Sequence, residues 1–443
     1  MSLETPIKIR EFQRKLYAKA KQEPSYRFYI LYDKICREDI LAHAYELAKA
    51  NGGAPGVDGQ SFAGIETIGK EAWLAALRQD LIGETYRPQP VRRVMIPKPN
   101  GGERPLGIPT IRDRVAQTAA KLVVEPIFEA DLETNAYGYR PKRSARDAVK
   151  KVHEHLIKGY TDVVDADLSK YFDTIPHADL MKCVAKRIVE RRVLHLIKMW
   201  LEAPVMERDK DRENWRNLGS NGQGTPQGGV ISPLLANLYM NRFLKYWREQ
   251  GKGEEYEAEI VAYADDFVIL TKPSPHGRVA VQARDWTQQV MERIGLTLNE
   301  QKTSIRDAKR EDFDFLGYTF GPRYWWKTGG TYLAARPSKK SIRRAAAGVR
   351  DLLRPSELGP WEDVRDRLNA KLRGWQNYFQ YGSVGKAYRR LNNYVSGRVR
   401  HFLRRRHIHT RSRGTRRFSD EKIFGKLGVH RFDSRVVTAC ALV

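Results

Sequence analysis

The chain has 443 residues and carries 79 Lys and Arg against 53 Asp and Glu, a formal net charge of +26. That length exceeds one ordinary core and predicts two to four subdomains, and the cationic excess is too large for a merely basic surface, so it points to nucleic acid. Cys36, Cys183 and Cys440 lie too far apart for a disulfide framework or a cysteine zinc site. The N-terminus lacks the apolar core of a secretory signal and no run approaches a membrane span, so a soluble protein of a reducing cytosol is expected.

In chain order, residues 1 to about 50 read as basic and helical, with "REDILAHAYELAKA" apolar at helical spacing. "NGGAPGVDGQ" (51–60) breaks that pattern as a loop. "VRRVMIPKPNGGERPLGIP" predicts a β-hairpin turning at "KPNGG". "ARDAVKKVHEHLIKG" (145–159) reads as a helix ended by Gly, and "YTDVVDADLSKYF" (160–172) as a strand running into a turn. "MKCVAKRIVERRVLHLIKMWLEA", "ISPLLANLYMNRFLKYWREQ" (231–250) and "GRVAVQARDWTQQVMERIG" (277–295) each read as one helix. "EIVAYADDFVIL" (259–270) predicts a hairpin with two carboxylates at its tip, and "DFDFLGYTF" (312–320) a strand. Beyond about residue 335 the chain turns to basic amphipathic helices. Val364, Leu368, Leu372, Trp375 and Phe379 share one helical face, and Tyr388, Leu391, Val395, Val399 and Phe402 share the next. The fold class is α+β.

Burying two adjacent carboxylates between apolar runs costs several kcal/mol per group unless charge or metal offsets it. Asp265 and Asp266 are so placed, and "DVVDADLSKYFD" supplies Asp165, Asp167 and Asp173 at another strand end. Alternation puts Asp165 and Asp167 on one side of that strand. Acids gathered at strand ends suit Mg²⁺, which takes oxygen ligands and keeps waters and substrate phosphates in its shell. Two such ions can clamp the attacking and departing oxygens of a phosphoryl transfer.

The ordered set "IPKPNGGERPLGIPTIRDRVAQ", "DADLSKYFD", "GTPQGGVISPLLANLYMN", "YADD", "GLTLNEQKT", "FDFLGYTF" and "LRGWQNYFQYG" resembles group II intron reverse transcriptases, also called maturases, over nearly the whole chain. The resemblance implies a right-hand polymerase: an N-terminal helical extension (1–50), fingers (51–160), a palm with antiparallel sheet (161–325) and a helical thumb or maturase domain (336–403). A basic C-terminal segment (404–443) would bind nucleic acid. It further implies RNA-directed DNA synthesis with two Mg²⁺ ions on Asp167, Asp265 and Asp266. Lys98 and Arg104 would hold the incoming triphosphate, Phe172 would bar a ribose 2′-hydroxyl, and Gln227 would contact the nucleotide and template. Arg404, Arg405, Arg406, Arg411, Arg413, Arg416 and Arg417 form the basic cluster suited to RNA. Expected partners are group II intron RNA, an RNA template with its DNA primer, target DNA and dNTPs, bound as a monomer or a homodimer on RNA, in the bacterial cytoplasm or nucleoid. The C-terminal endonuclease of longer relatives, with its paired cysteines, is not expected. Two other readings compete: a non-catalytic RNA-binding splicing cofactor, and a domesticated reverse transcriptase in defence or repair.

Overall fold

The computed structural model describes residues 3–97, 102–208, 215–217, 219, 222–226, 228–324, 329–406 and 418–433. Its strands, in chain order, are β1 (Val91–Pro97), β2 (Glu103–Ile108), β3 (Asp162–Asp167), β4 (Val205–Arg208), β5 (Trp215–Asn217) and β6 (Ala258–Tyr263), then β7 (Asp266–Thr271), β8 (Ser304–Asp307), β9 (Phe313–Phe315), β10 (Tyr318–Tyr324) and β11 (Thr331–Pro337). They form three sheets, ordered β2-β1-β4-β5, β6-β7-β3-β8 and β11-β10-β9.

The β6-β7-β3-β8 sheet is the platform. Along its strands successive side chains enter different cores. Val164, Ala166, Ile260, Ala262, Phe267 and Ile269 join the large core under the N-terminal helices. Val163, Val261, Val268 and Leu270 join a second core with the Ala145–Ile157 helix and β9 to β11. Burial on both faces explains why "EIVAYADDFVIL" reads as a nearly continuous apolar run rather than an alternating one. The Ile111–Glu129 helix runs through the large core and is buried on nearly every side. It starts at Thr110, whose hydroxyl accepts the Asp113 N–H at 3.2 Å. Asp113 in turn accepts from the Tyr86 hydroxyl at 2.6 Å and the Gln89 N–H at 3.1 Å, so this buried carboxylate is satisfied.

The hairpin expected near residue 97 is formed by β1 and β2, with Pro97 opposite Glu103. β4 extends it, pairing parallel to β1 at Val91–Arg93. Two expected elements divide. The segment read as one helix from residue 181 is two, His177–Ala185 and Arg191–Glu202. Between them the backbone pairs with Phe28, which donates to the Arg187 carbonyl at 2.7 Å and accepts from Val189 at 2.9 Å. The Arg187 guanidinium meets the carbonyls of Ala20, Glu23, Pro24 and Tyr26 and the Asp131 carboxylate at 2.9 Å. Tertiary hydrogen bonds thus outweigh helical periodicity there. Likewise "DFDFLGYTF" is not one strand but the hairpin of β9 and β10. Phe315 pairs with Tyr318 around Leu316 and Gly317, both at positive φ (48° and 80°).

Three helices, Lys339–Leu352, Trp361–Tyr378 and Gly385–Arg406, enclose a third core. Within the C-terminal stretch expected as a basic segment from 404, the described residues 418–433 pack on that core. Phe418, Ile423, Val429 and Phe432 are buried in it. Asn369 and Asn392 clasp it, donating to the carbonyls of Gly428 and Phe432 at 2.8 and 2.9 Å. Spaced apolar residues, masked in the sequence by surrounding Arg and Lys, drive that packing.

Arg187→Ala leaves four carbonyls and Asp131 without their cation, so unfolding in urea should show a loss of about 3–5 kcal/mol. A change of less than about 1 kcal/mol would contradict this role for the guanidinium.

Candidate active site

Strand register assembles the acids. In the β3–β7 pair Asp167 stands directly opposite Asp266, with Asp165 opposite Val268. Alternation puts Asp165, Asp167 and Asp266 on one face, that of Val163, Val268 and Leu270. In the β6–β7 hairpin Tyr263 pairs with Asp266, leaving Ala264 and Asp265 as a two-residue turn. Ala264 adopts φ 58°. The turn is braced from behind by Gly138: a Cβ there would lie 2.5 Å from the Ala264 nitrogen, so only glycine fits.

The electrostatics are those of crowded like charges. Burial of the carboxyl among the neighbouring acids, then the charges of Asp265 and Asp167, push Asp266 up to about 7, although the residue as a whole is exposed to solvent. Burial also raises Asp265, with Asp167 adding to it. Asp165 is pushed up to about 6 by burial, with Arg306 opposing. An ammonium answers the cluster: Lys302 Nζ donates to Asp167 Oδ2 at 2.8 Å. That hydrogen bond, and the charges of Asp167, Asp266 and Asp265, raise the Lys302 pKa.

A cleft of about 1040 Å³ opens over these groups. Arg104 from β2, Phe172, Asp167, Asp265, Lys302 and Tyr139 all line it. The sequence-derived residues Arg104, Phe172, Asp167 and Asp265 therefore share one cavity, and Asp266 stands across the strand pair from Asp167. Phe172 follows a sharp turn at Lys170 (φ 49°) and is gripped through its carbonyl, which accepts from Thr225 N–H at 2.6 Å. The described residues of the Gly-rich loop around it dock on the protein, with Gly228 lining the cleft. A Cβ on Gly228 (φ 109°) would sit 2.2 Å from the Gly107 carbonyl oxygen, which docks the loop on β2. Gln117 Oε1 accepts from Val230 N–H at 2.9 Å and holds the loop's far end.

Lys98 and Gln227 lie outside the described residues, as do Arg411, Arg413, Arg416 and Arg417. Arg404 and Arg405 are exposed on the last helix. Arg406 is half-buried: it donates to the Glu357 carbonyl at 2.6 Å and lies 4.5 Å from the Phe402 ring centre. Sequence reasoning did not single out Lys302 or Tyr139. Lys302 stands within the matched block "GLTLNEQKT", but only the fold brings it from residue 302 to residue 167.

Residues 96–320 match the family described as reverse transcriptase (RNA-dependent DNA polymerase), about half of the chain. The chain belongs to the reverse transcriptase family. In this reverse transcriptase, residues 342–418 match the group II intron maturase-specific domain, so it is an RNA-directed DNA polymerase of the intron maturase type. Protein YkfC of Escherichia coli (strain K12) is 36% identical over 346 residues, covering 70% of this chain and 87% of its own length. Group II intron-encoded protein LtrA of Lactococcus lactis subsp. cremoris is 35% identical over 219 residues, 49% of this chain and 35% of its own. An uncharacterized 91 kDa protein in the cob intron of Schizosaccharomyces pombe is 25% identical over 91% of this chain and 56% of its own length. The chain thus spans less than two thirds of these two intron-encoded relatives. No helix among the described residues is long and apolar enough to cross a membrane.

The Asp266 carboxyl holds its proton up to about 7 in the folded state and to 3.8 ordinarily. Between those values the fold binds a proton that the unfolded chain has released, so stability without metal falls as pH rises through that window. Melting temperatures in chelator should therefore coincide for Asp266→Asn and wild type near pH 4, and favour the variant by pH 8. Parallel curves across that range would count against the crowding.

Proposed function

We propose that this reverse transcriptase copies intron RNA into DNA from a primer at its DNA target, and that its C-terminal helices bind the same RNA to assist splicing. The observation that carries the reading is the register of β3 and β7, which sets Asp167 against Asp266 under a cleft shared with Arg104 and Phe172. A maturase-specific match on the same chain supports the second half.

The donor set fits divalent cations of the Mg²⁺ type. It is all carboxylate, it faces open space for waters and phosphates, and its acids repel one another until cations arrive. Among the described residues no group of three or more Asp, Glu, His or Cys side chains is already gathered as a metal cage. Asp167, Asp265 and Asp266 would hold two Mg²⁺ ions. When bound, such ions ease loss of the primer 3′-hydroxyl proton and neutralise charge on the departing pyrophosphate.

The chain's own residues do the rest. Arg104 brings a guanidinium to the triphosphate, where charge develops as the α-phosphorus gains the primer oxygen and loses the bond to pyrophosphate. Phe172 presents an aromatic edge to the sugar. Lys302 keeps Asp167 paired until cations compete for it. The work would be done in the bacterial cytoplasm or nucleoid with dNTPs, template RNA, target DNA and intron RNA as partners, by a monomer or a homodimer on RNA. Exposed Arg404 and Arg405 offer phosphate contacts.

With Mg²⁺ and poly(rA)/oligo(dT), the protein should extend the primer, and Asp265→Asn should lower extension on the order of 10³-fold or more. Affinity of the variant for the cognate intron RNA should stay close to wild type. No extension by the folded wild-type protein would leave only a splicing cofactor.

A further inference from the structure

One cleft residue is held in a way that the acids and the fingers do not explain. Tyr139 is a large aromatic side chain left 50% exposed at the cleft, with a backbone φ of 53°. A non-glycine residue in that left-handed conformation is strained, and such strain persists only where the surroundings over-determine it.

They do so here. On one side Gly138 is buried against the Ala264 backbone, and its carbonyl accepts from Asn237 Nδ2 at 2.6 Å. On the other the Arg140 guanidinium is buried between the Glu129 carboxylate (2.7 Å) and the carbonyls of Glu133 and Ala136 (2.5 and 2.9 Å). Two backbone bonds, Tyr137 N–H to the Ala262 carbonyl at 2.8 Å and Ala262 N–H to the Asn135 carbonyl at 2.9 Å, tie this segment to β6. Tyr139 is thus one exposed ring between two clamped neighbours, mounted on the hairpin that carries Asp265.

The ring's contacts indicate its use. It meets Phe172 edge-on, with ring centres 6.4 Å apart at 82°, and it stands 6.3 Å from Tyr263. Tyr171 closes on Phe172 from another direction at 5.6 Å and 69°. These separations lie in the favoured range for aromatic pairs. Phe172 is therefore wedged between two rings, one buried and one mounted on the catalytic hairpin.

We propose that Tyr139 is a positioning residue for sugar selection: its ring backs Phe172, so that Phe172 cannot swing aside to admit a nucleotide with a 2′-hydroxyl. The proposal rests on the polymerase reading and on the role given there to Phe172. An aromatic without a backing would discriminate weakly, because a rotamer change could relieve the clash. The phenol oxygen has no part in this, so phenylalanine should serve as well.

The test is equilibrium binding of dTTP and UTP, with Mg²⁺, to the full chain on a dideoxy-terminated primer with an RNA template, alongside kcat/KM for both nucleotides on an extendable primer. Tyr139→Ala should lower the preference for dTTP roughly tenfold, and Tyr139→Phe should restore it. Tyr139→Gly, which suits the positive φ, should match the alanine variant and guard against a folding artefact. In a Phe172→Ala background Tyr139→Ala should add nothing. Preference within about twofold of wild type in both ring-deleted variants would overturn the proposal, as would a further loss in the Phe172→Ala background. A wild-type protein that binds dTTP over UTP yet never extends a primer would sink the polymerase reading while this one is still measured.

Discussion

The antiparallel register that sets Asp167 opposite Asp266 is the constraint on which the site depends, because it turns two acids about a hundred positions apart into cross-strand neighbours. A slip of one residue would send every side chain of β3 to the other face and carry Asp167 with it. What prevents the slip is apolar. Val163 and Val268 belong to one core, Val164 and Ile269 to another, and both layers must be filled at once. The hydrophobic interior thus holds together a cluster whose own electrostatics would drive it apart. Burial first, and neighbouring carboxylates second, push Asp165 up to about 6 and Asp266 up to about 7.

Two backbone contacts extend this arrangement to the far wall of the cleft. Gly228 lies against the Gly107 carbonyl, and Thr225 N–H bonds to the Phe172 carbonyl, so β2, the Gly-rich loop and Phe172 form one connected wall. Arg104 stands on the same strand as Gly107. Arg104 and the acids are accordingly positioned by backbone, which is stiffer than any side-chain bridge. The C-terminal helices join through paired tyrosines: the Tyr318 hydroxyl donates to the Tyr378 carbonyl, and the Tyr378 hydroxyl to the Leu316 carbonyl, each at 2.8 Å.

The acids, the first hairpin and the amphipathic helices were legible in the sequence because each is a local pattern. "VRRVMIP" and "ERPLGIP" flank a turn-forming run, and Leu391, Val395 and Val399 repeat at helical spacing. Family resemblance then supplied Arg104 and Phe172. What escaped was decided by distant contacts. The break near Arg187 depends on carbonyls of residues 20 to 26, which no window around 187 contains. The split of "DFDFLGYTF" depends on Leu316 accepting positive φ, unusual for a branched aliphatic. The packing of Phe418 to Phe432 was hidden by the charge around it, and Arg406 reads as a solvent cation although it folds back on Phe402. Lys302 and Tyr139 gain meaning only from the cleft they share.

The central claim, that carboxylates brought together by strand register hold the cations of polymerisation, is tested most directly by anomalous diffraction from the protein on a dideoxy-terminated primer and RNA template with dTTP and Mn²⁺. The account predicts manganese between Asp167 and the Asp265–Asp266 turn, with Lys302 drawn off Asp167. Ordered dTTP in the cleft with no manganese within reach of those carboxylates would contradict it.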